Sequence, residues 1–273
     1  MIKVLIIGKK SFIGSNLYLS LKKKFIVRLI SFSKFKKKKE NFFKKFTHII
    51  NCSVNPKYVK LKYNKKFDND IIIAKKIKNF KIRYIFFSSR KVYYPKYNIK
   101  ETSIPKPTCN YSKNKIRTEK NLNLILKHKV LIFRISNIIG LPIKNNNRKV
   151  HWTFIDQFFY LAKKGTIIDN GNIFKDFISI NKFSEIIYFA IKKDISGIYN
   201  ISIGKKIYLN KIVEWLNYYN KNKCKIVKLK KNLSNKDNFT LNNEKLMKII
   251  SFKYSINDLE KYCKYISRIY FKK

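Results

Sequence analysis

The most constraining feature of this chain is an alternation, in its first half, of short apolar runs with longer helix-like stretches. The apolar runs are nearly continuous and predict strands at Val4–Ile7, Phe25–Ile30, His48–Asn51, Tyr84–Ser88 and Val130–Ile135. The stretches between them predict helices at Ile13–Lys22, Asp70–Asn79 and Asn110–Leu126. Strands without polar alternation, separated by helices, are typical of a parallel sheet covered on both faces. The pattern therefore predicts a doubly wound α/β fold with its ligand crevice at the carboxyl ends of the strands.

The second half of the chain follows a looser pattern. After about residue 141 the alternation fades, and polar clusters such as Asn145-Asn146-Asn147 appear. We therefore predict a sheet domain over residues 1–140. Residues 141–273 are predicted to form mainly a smaller lobe, with some segments returning to the first domain.

The net charge of the chain is +48, from 63 basic and 15 acidic residues. A charge of this size is typical of nucleic-acid binding, because basic side chains neutralise phosphates. Only seven of the basic residues are Arg, however, and Arg is the side chain suited to bidentate phosphate contacts. Lys, Asn and Ile are abundant along the whole chain, which favours a compositional bias over a dedicated binding face. A basic nucleic-acid-binding protein on the same scaffold remains the alternative.

Charged residues interrupt every stretch of membrane-spanning length, so we expect no transmembrane helix. The N-terminus lacks the features of a signal peptide. The four cysteines are far apart and have no His at metal-ligand spacing, so we expect reduced thiols, no metal site and a cytoplasmic protein.

A glycine-bearing turn follows the first predicted strand. Gly8 and Gly14 flank it, and Ser11, Phe12 and Ile13 lie between them at the start of a helix. A strand, a tight turn and a helix N-terminus together bind the diphosphate of a dinucleotide. The acidic residue expected about 20 positions on is missing, and the stretch runs through Ser33 to Lys34. A lysine there suits a 2′-phosphate, so NAD or NADP is predicted, with a slight preference for NADP.

A tyrosine and a lysine four residues apart form the second motif. On a helix Tyr111 and Lys115 share one face. A nearby ammonium favours the phenolate and lowers the pKa of a tyrosine, so the pair can move a proton to or from a hydroxyl. Upstream, Ser88 and Ser89 end a predicted central strand, where a hydroxyl can bond to a ligand oxygen.

Together these motifs resemble the extended short-chain dehydrogenase/reductase family, in its sugar-nucleotide epimerase/dehydratase branch. The resemblance spans about residues 3–204 and depends on the order of several segments: Gly8–Gly14, Ile49–Ser53, Phe67–Asp70, Phe87–Tyr93, Pro107–Glu119, Phe133–Gly140, Lys175–Ile178 and Gly197–Ile201. The family has a Rossmann-like sheet that binds NAD(P) and a C-terminal lobe that binds a nucleotide-diphosphate sugar. Ser11, where the family usually has a glycine, is a departure.

The resemblance implies roles for single residues. Tyr111 would be the acid/base, Lys115 would lower its pKa and hold the nicotinamide ribose, and Ser89 would orient the substrate oxygen. Asn69 matches the family's structural Asn. Further candidates are Cys52 and Ser53 for the cofactor and Asn137, Arg148 and Lys175 for the substrate, of which Arg148 lies outside the matched segments.

The resemblance also bears on the reaction and on assembly. Arg90 and Lys91 stand where sugar dehydratases carry an acidic pair, which argues against dehydration and leaves epimerisation or ketone reduction open. A non-catalytic NAD(P)-binding member of the family is a further alternative. The implied partners are a nucleotide sugar and a second copy of the chain, paired through two helices that include the Tyr111 helix.

Overall fold

A computed structural model describes residues 1–141, 154–169, 173–221, 224–228, 237–251 and 253–271. Its centre is a six-stranded sheet in the order β10-β5-β4-β3-β1-β2, with every neighbouring pair parallel. The strands are β1 Lys3–Ile7, β2 Ile26–Ile30, β3 His48–Asn51, β4 Arg83–Ser89, β5 Val130–Ile135 and β10 Gly197–Ile201. Every residue of β3 and β5 is buried, as their continuous apolar character requires.

Helices cover both faces of this sheet. On one face α1 and α7 pack together with α9; on the other, α2 and α4 pack with α5. The ten helices of the described residues are α1 Phe12–Leu21, α2 Phe32–Lys36, α3 Pro56–Lys60, α4 Asn69–Ile77, α5 Asn110–Leu126, α6 Phe154–Lys163, α7 Ile180–Lys192, α8 Leu209–Asn217, α9 Glu244–Ile250 and α10 Ile256–Phe271. The arrangement confirms the predicted doubly wound α/β fold.

The strand order changes direction at β1. From β1 the chain adds β2 on one side and then crosses back to add β3 on the other. Ligands of open α/β sheets bind at such a reversal, in the crevice outside the carboxyl ends of the strands. The sequence therefore brings the turn after β1, at Gly8, next to the residues that follow β3, at Cys52.

Three short two-stranded sheets accompany the central one. They pair β6 Asn137–Ile139 with β9 Phe177–Ser179, β7 Thr166–Asp169 with β12 Lys225–Lys228, and β8 Phe174–Lys175 with β11 Ile207–Tyr208. A separate apolar cluster holds α6, α8 and α10 against these strands.

The later part of the chain also contributes to the central sheet. Strand β10 is its sixth strand, and Leu241 forms an isolated bridge with Ile99. The Asn200 side chain on β10 donates to the backbone carbonyl oxygens of Ile99 and Asn242. The two parts of the chain are thus interleaved, and the division at residues 140 and 141 stays a prediction.

Observed element bounds differ little from those that the apolar pattern predicts. α5 and β5 have the predicted bounds, whereas α1 and α4 each begin one residue earlier, at Phe12 and Asn69. Side-chain caps explain both starts, since Ser11 accepts from Gly14 N–H and Asp68 accepts from Asp70 and Ile71 N–H. None of the helices within the described ranges is long and apolar enough to cross a membrane.

Candidate functional site

The turn after β1 is closed around two glycines that a side chain would disrupt. Gly8 has φ of +126°, and an added Cβ would lie 2.9 Å from the Cys52 carbonyl carbon. A Cβ on Gly14 would lie 2.7 Å from Gly8 O and 2.7 Å from Ser11 Oγ. The start of α1 therefore approaches the turn and the end of β3 as closely as backbone atoms allow. This cradle fits a dinucleotide diphosphate, which needs close backbone approach.

Ser11, the departure from the family pattern, caps α1. Its Oγ accepts a hydrogen bond of 2.8 Å from Gly14 N–H. Phe12 and Ile13 form the first turn of α1, and their N–H groups have no acceptor within the helix. Ser11 thus caps the helix at the position where the family usually has a glycine. The N–H groups of the first turn remain available to donate to an anion.

A buried hydrogen-bond network fixes the loop after β3. Asn51 Oδ1 accepts from the N–H and from Oγ of Ser53, and Asn69 Nδ2 donates to Ser53 Oγ over 3.0 Å. Asn51 Nδ2 and the Tyr84 hydroxyl both donate to Asp70 Oδ1, over 2.8 and 2.6 Å. Two of the predicted residues, Ser53 and Asn69, are therefore in direct contact at the loop that follows β3.

Asp70 is the buried acceptor at the base of this network. Burial raises the pKa of Asp70 to about 6, although the positive charge of Lys115 acts in the opposite direction. Cys52, beside the two glycines, is partly buried, and burial raises the pKa of its thiol. A thiol in that state packs as an apolar side chain and offers no nucleophile.

The helix α5 brings Tyr111 and Lys115 together. Lys115 Nζ lies 5.7 Å from the centroid of the Tyr111 ring and 4.4 Å from that of Phe86. It donates a 2.7 Å hydrogen bond to the carbonyl oxygen of Phe87 on β4. The lysine is 7% exposed. Helix and strand are thus joined two residues before Ser89, at the carboxyl edge of the sheet.

The two serines at the end of β4 have different surroundings. Ser88 Oγ donates to Glu119 on α5 and is buried. Ser89 Oγ accepts from Lys91 N–H over 3.2 Å, where it caps a short 3-10 helix at Arg90–Val92. Ser89 is only half-buried and keeps its own proton for donation, so it is the serine available to a ligand.

Glu119 and Arg134 form a buried ion pair beneath these serines. Arg134 Nη2 lies 2.6 Å from Glu119 Oε2, and the side chains are 5% and 4% exposed. Arg134 Nη1 donates to the Tyr93 hydroxyl over 2.8 Å, and Tyr93 donates to Asn200 Oδ1. The network joins α5, β5, the segment after β4 and β10. Glu119 and Arg134 both lie in sequence motifs, but nothing in their spacing predicts that the two side chains form an ion pair.

Residues predicted to contact the substrate are mostly engaged with protein atoms. Asn137 Nδ2 donates to the Asp176 carbonyl oxygen over 3.1 Å, and Lys175 Nζ lies 2.6 Å from Asp237 Oδ2. Asp237 Oδ1 also accepts a hydrogen bond of 2.7 Å from Arg90 Nη2. Arg148 lies outside the described residues.

Asp176 joins the lobe to the later segments of the chain. It is fully buried, accepts from Leu241 N–H over 2.9 Å and from Gly204 N–H over 3.2 Å, and burial raises its pKa to about 7. The sequence signal for Asp176 is its place in the segment Lys175–Ile178, which resembles a segment of the family.

Comparisons with known proteins agree with this fold. A model of the NAD dependent epimerase/dehydratase family matches residues 4–202. A search of curated proteins found no match to the chain. Among solved structures, a UDP-N-acetylglucosamine 4-epimerase from Methanobrevibacter ruminantium M1, in complex with UDP-N-acetylmuramic acid, is 19% identical. It superposes with a TM-score of 0.82 over 99% of this chain and 98% of that one.

Two further structures share the fold. A UDP-glucose 4-epimerase from Thermotoga maritima with UDP-glucose is 15% identical, with a TM-score of 0.77 over 99% of each chain. A dTDP-glucose 4,6-dehydratase from Bacillus anthracis str. Ames in complex with NAD is also 15% identical. Its TM-score is 0.76, over 100% of this chain and 97% of that chain.

Proposed function

The chain belongs to the NAD dependent epimerase/dehydratase family, and from that membership we propose that it is an NAD(P)-dependent epimerase or reductase of a nucleotide-diphosphate sugar. The observation that carries the proposal is the joint placement of Tyr111, Lys115 and Ser89. Lys115 lies beside the Tyr111 ring and donates a hydrogen bond to the carbonyl oxygen of Phe87 on β4, two residues before Ser89. The family match favours this function over nucleic-acid binding and over a non-catalytic member.

Tyr111 moves the proton in this proposal. Oxidation of a sugar alcohol removes a proton from oxygen and a hydride from carbon, and the Tyr111 phenolate takes the proton. In reduction the phenol returns a proton to the carbonyl oxygen. The nicotinamide of bound NAD(P) supplies or accepts the hydride. Lys115, whose Nζ lies 5.7 Å from the centroid of the Tyr111 ring, would hold the nicotinamide ribose, and the Ser89 hydroxyl would orient the reacting oxygen.

The cofactor in the proposal is NAD or NADP. Gly8, Ser11, Phe12, Ile13 and Gly14 would hold the diphosphate. Cys52, Ser53 and Lys115 would also contact the cofactor, and Asn69 belongs to the proposed catalytic set. NADP is slightly preferred, because Lys34 and not a carboxylate follows β2.

Dehydration is not part of the proposal. The position after Ser89 holds Arg90, whose guanidinium is buried and paired with Asp237. An arginine in an ion pair cannot deliver the proton that elimination of water needs. Asn137, Arg148 and Lys175 remain the proposed substrate contacts.

Location and assembly complete the proposal. We place the protein in the cytoplasm, with no specific nucleic-acid partner. The proposed homodimer pairs through two helices of each subunit, one of them α5.

The experiment that tests the function compares Tyr111→Phe with the wild-type chain. A screen of UDP-, GDP- and dTDP-sugars, with NAD and with NADPH, identifies the substrate by epimer analysis or absorbance at the nicotinamide band. Loss of the acid/base group lowers kcat by roughly 10²- to 10⁴-fold, while cofactor binding measured by fluorescence stays intact. The matched control is Tyr97→Phe, a half-exposed ring in the same chain. Unchanged turnover in the Tyr111 variant rejects the proposal.

A further inference from the structure

One carboxylate joins the residue after Ser89 to a proposed substrate contact. Asp237 Oδ1 accepts from Arg90 Nη2 over 2.7 Å, and Asp237 Oδ2 accepts from Lys175 Nζ over 2.6 Å. We propose that Asp237 is an intramolecular competitor of the substrate: its carboxylate holds a cation that the diphosphate of a nucleotide sugar needs, and it thereby weakens substrate binding. The inference rests on the proposed function and extends it with a residue that sets substrate affinity.

The two residues that follow Asp237 hold its carboxylate at this place. Asn238 Oδ1 accepts from the N–H of Phe174 on β8 over 3.1 Å. The side chain of Phe239 is fully buried, and the centroid of its ring lies 4.2 Å from the Arg90 guanidinium. One of these residues is thus anchored to β8 and the other packs against the arginine. The carboxylate lies between the two cations because the backbone on its C-terminal side is fixed.

The two cations differ in their access to a ligand. The Arg90 side chain is 7% exposed and is enclosed against Phe239, whereas the side chains of Lys175 and Asp237 are 23% and 52% exposed. A ligand phosphate can therefore reach the lysine and the carboxylate but not the arginine. Arg90 keeps the carboxylate in place, and Lys175 is the cation for which carboxylate and phosphate compete.

The Asp237 carboxylate carries a negative charge at neutral pH. Partial burial acts to raise the pKa of Asp237, but the hydrogen bond from Lys175 and the charges of Arg90 and Lys175 outweigh it and lower that pKa below its ordinary value. A diphosphate that binds the lysine must therefore displace the carboxylate or lie close to it. Displacement breaks an ion pair, and close approach brings like charges together, so both cost binding free energy.

Three roles of Asp237 predict three different outcomes for Asp237→Asn. A purely structural tie between β4 and β8 predicts unchanged nucleotide affinity in the folded variant, since asparagine keeps an acceptor for Arg90. A direct ligand contact, in which the carboxylate accepts from a hydroxyl of the nucleotide, predicts weaker binding. Competition predicts tighter binding, because the amide has no charge to repel a phosphate.

The test measures binding of UDP, GDP and dTDP to the intact chain by isothermal titration calorimetry. We expect D237N to bind the preferred nucleotide about tenfold more tightly than the wild type does, which corresponds to about 1.4 kcal/mol. The matching nucleoside, which lacks the diphosphate, should show no such gain. In a K175M background D237N should also give no gain, because the contested cation is absent.

The matched control is E214Q, because general basicity is the competing explanation for any gain. Glu214 pairs with Lys211 at an exposed site, with side chains 62% and 57% exposed. Its substitution removes one negative charge from the chain, as D237N does, but does so outside the proposed site. Nucleotide affinity of E214Q should therefore stay at the wild-type value.

The outcomes separate this inference from the proposed function. Unchanged or weaker nucleotide binding by D237N, an equal gain in E214Q, or a gain that persists in the K175M background overturns the inference and leaves the proposed function standing. Failure of all three nucleotides to bind either the wild type or D237N overturns the proposed function as well. Circular dichroism melts verify folding. If D237N unfolds, R90M/D237N replaces it with the same expected gain, because it removes the buried charge together with its partner.

Discussion

Removing the charge of Glu119 should destabilise the whole protein, because Glu119 neutralises a buried arginine. Arg134 donates to Glu119 through Nη2 at 2.6 Å and Nε at 3.2 Å, and both side chains are almost completely shielded from water. Breaking a buried ion pair by removing one partner costs about 3–5 kcal/mol. Glu119→Gln keeps the shape and one acceptor, so we expect a loss of about 3 kcal/mol at the lower end of that range.

Urea denaturation followed by circular dichroism at pH 7 measures this loss. A domain typically has about 5–15 kcal/mol of stability, so a loss of about 3 kcal/mol should lower the urea concentration at the unfolding midpoint by a readily measured amount. The dependence of the free energy on urea should keep its slope. The control is Glu185→Gln, which breaks the half-exposed pair with Lys182 and should cost less than about 0.5 kcal/mol. A Glu119→Gln variant within about 1 kcal/mol of wild type refutes the reasoning.

A double variant tests the cause. If the cost arises from an unpaired buried charge, Glu119→Leu combined with Arg134→Met should be less destabilising than the sum of the two single changes. Additive losses would mean that packing, and not the buried charge, accounts for the effect. The double variant also removes the acceptor of the Ser88 hydroxyl and a donor to the Tyr93 hydroxyl, so the quantity compared is the coupling energy of the cycle and not the loss in either single variant.

The remaining predictions concern the turn after β1, the lobe and the overall charge. Gly14→Ala should weaken NAD(P) binding in fluorescence titrations by at least about tenfold, because the new Cβ meets Gly8 O and Ser11 Oγ at 2.7 Å; unchanged binding would exclude the close approach. Burial raises the pKa of Asp176 from its ordinary 3.8 to about 7, so its contribution to stability is present below pH 3.8 and is lost as the pH rises to 7. Relative to Asp176→Asn, the wild type should therefore lose about 2–3 kcal/mol between pH 5 and pH 8 in urea titrations, and parallel profiles would contradict this. Thermal melts should rise when NaCl increases from low to moderate concentration, because salt screens the self-repulsion of a +48 chain; a salt-independent melt would count against it.

Local signals in the sequence were sufficient for five of the six strands of the sheet and for the placement of Tyr111 beside Lys115. Continuous apolar runs predict buried strands wherever they occur, and the spacing of Tyr111 and Lys115 places both on one face of α5. The local pattern alone did not separate Ser88 from Ser89, and only the family resemblance selected Ser89. The structural difference between them depends on Glu119, which is 31 residues beyond Ser88 in the chain. A contact of this kind depends on tertiary packing and leaves no periodic pattern in the sequence.

The residues that surround Lys34 could not be predicted from the sequence for a different reason. With 63 basic residues in 273, a lysine at any one position carries little information. Lys34 was identified from its distance to the first strand, whereas Lys9 and Arg28 join it only because β1 and β2 are neighbours in the sheet. Composition conceals a cluster of cationic side chains when lysine is also one of the most common residues in the chain.

The interleaved order of the strands has a consequence for how the protein is made. When β5 leaves the ribosome, one of its edges has no partner, and β10 arrives more than 60 residues later. During that interval the nascent chain presents an unpaired, mostly apolar edge of six residues to its surroundings, the kind of surface that chaperones protect. We therefore expect premature termination before residue 197 to yield aggregates and not a shorter folded domain.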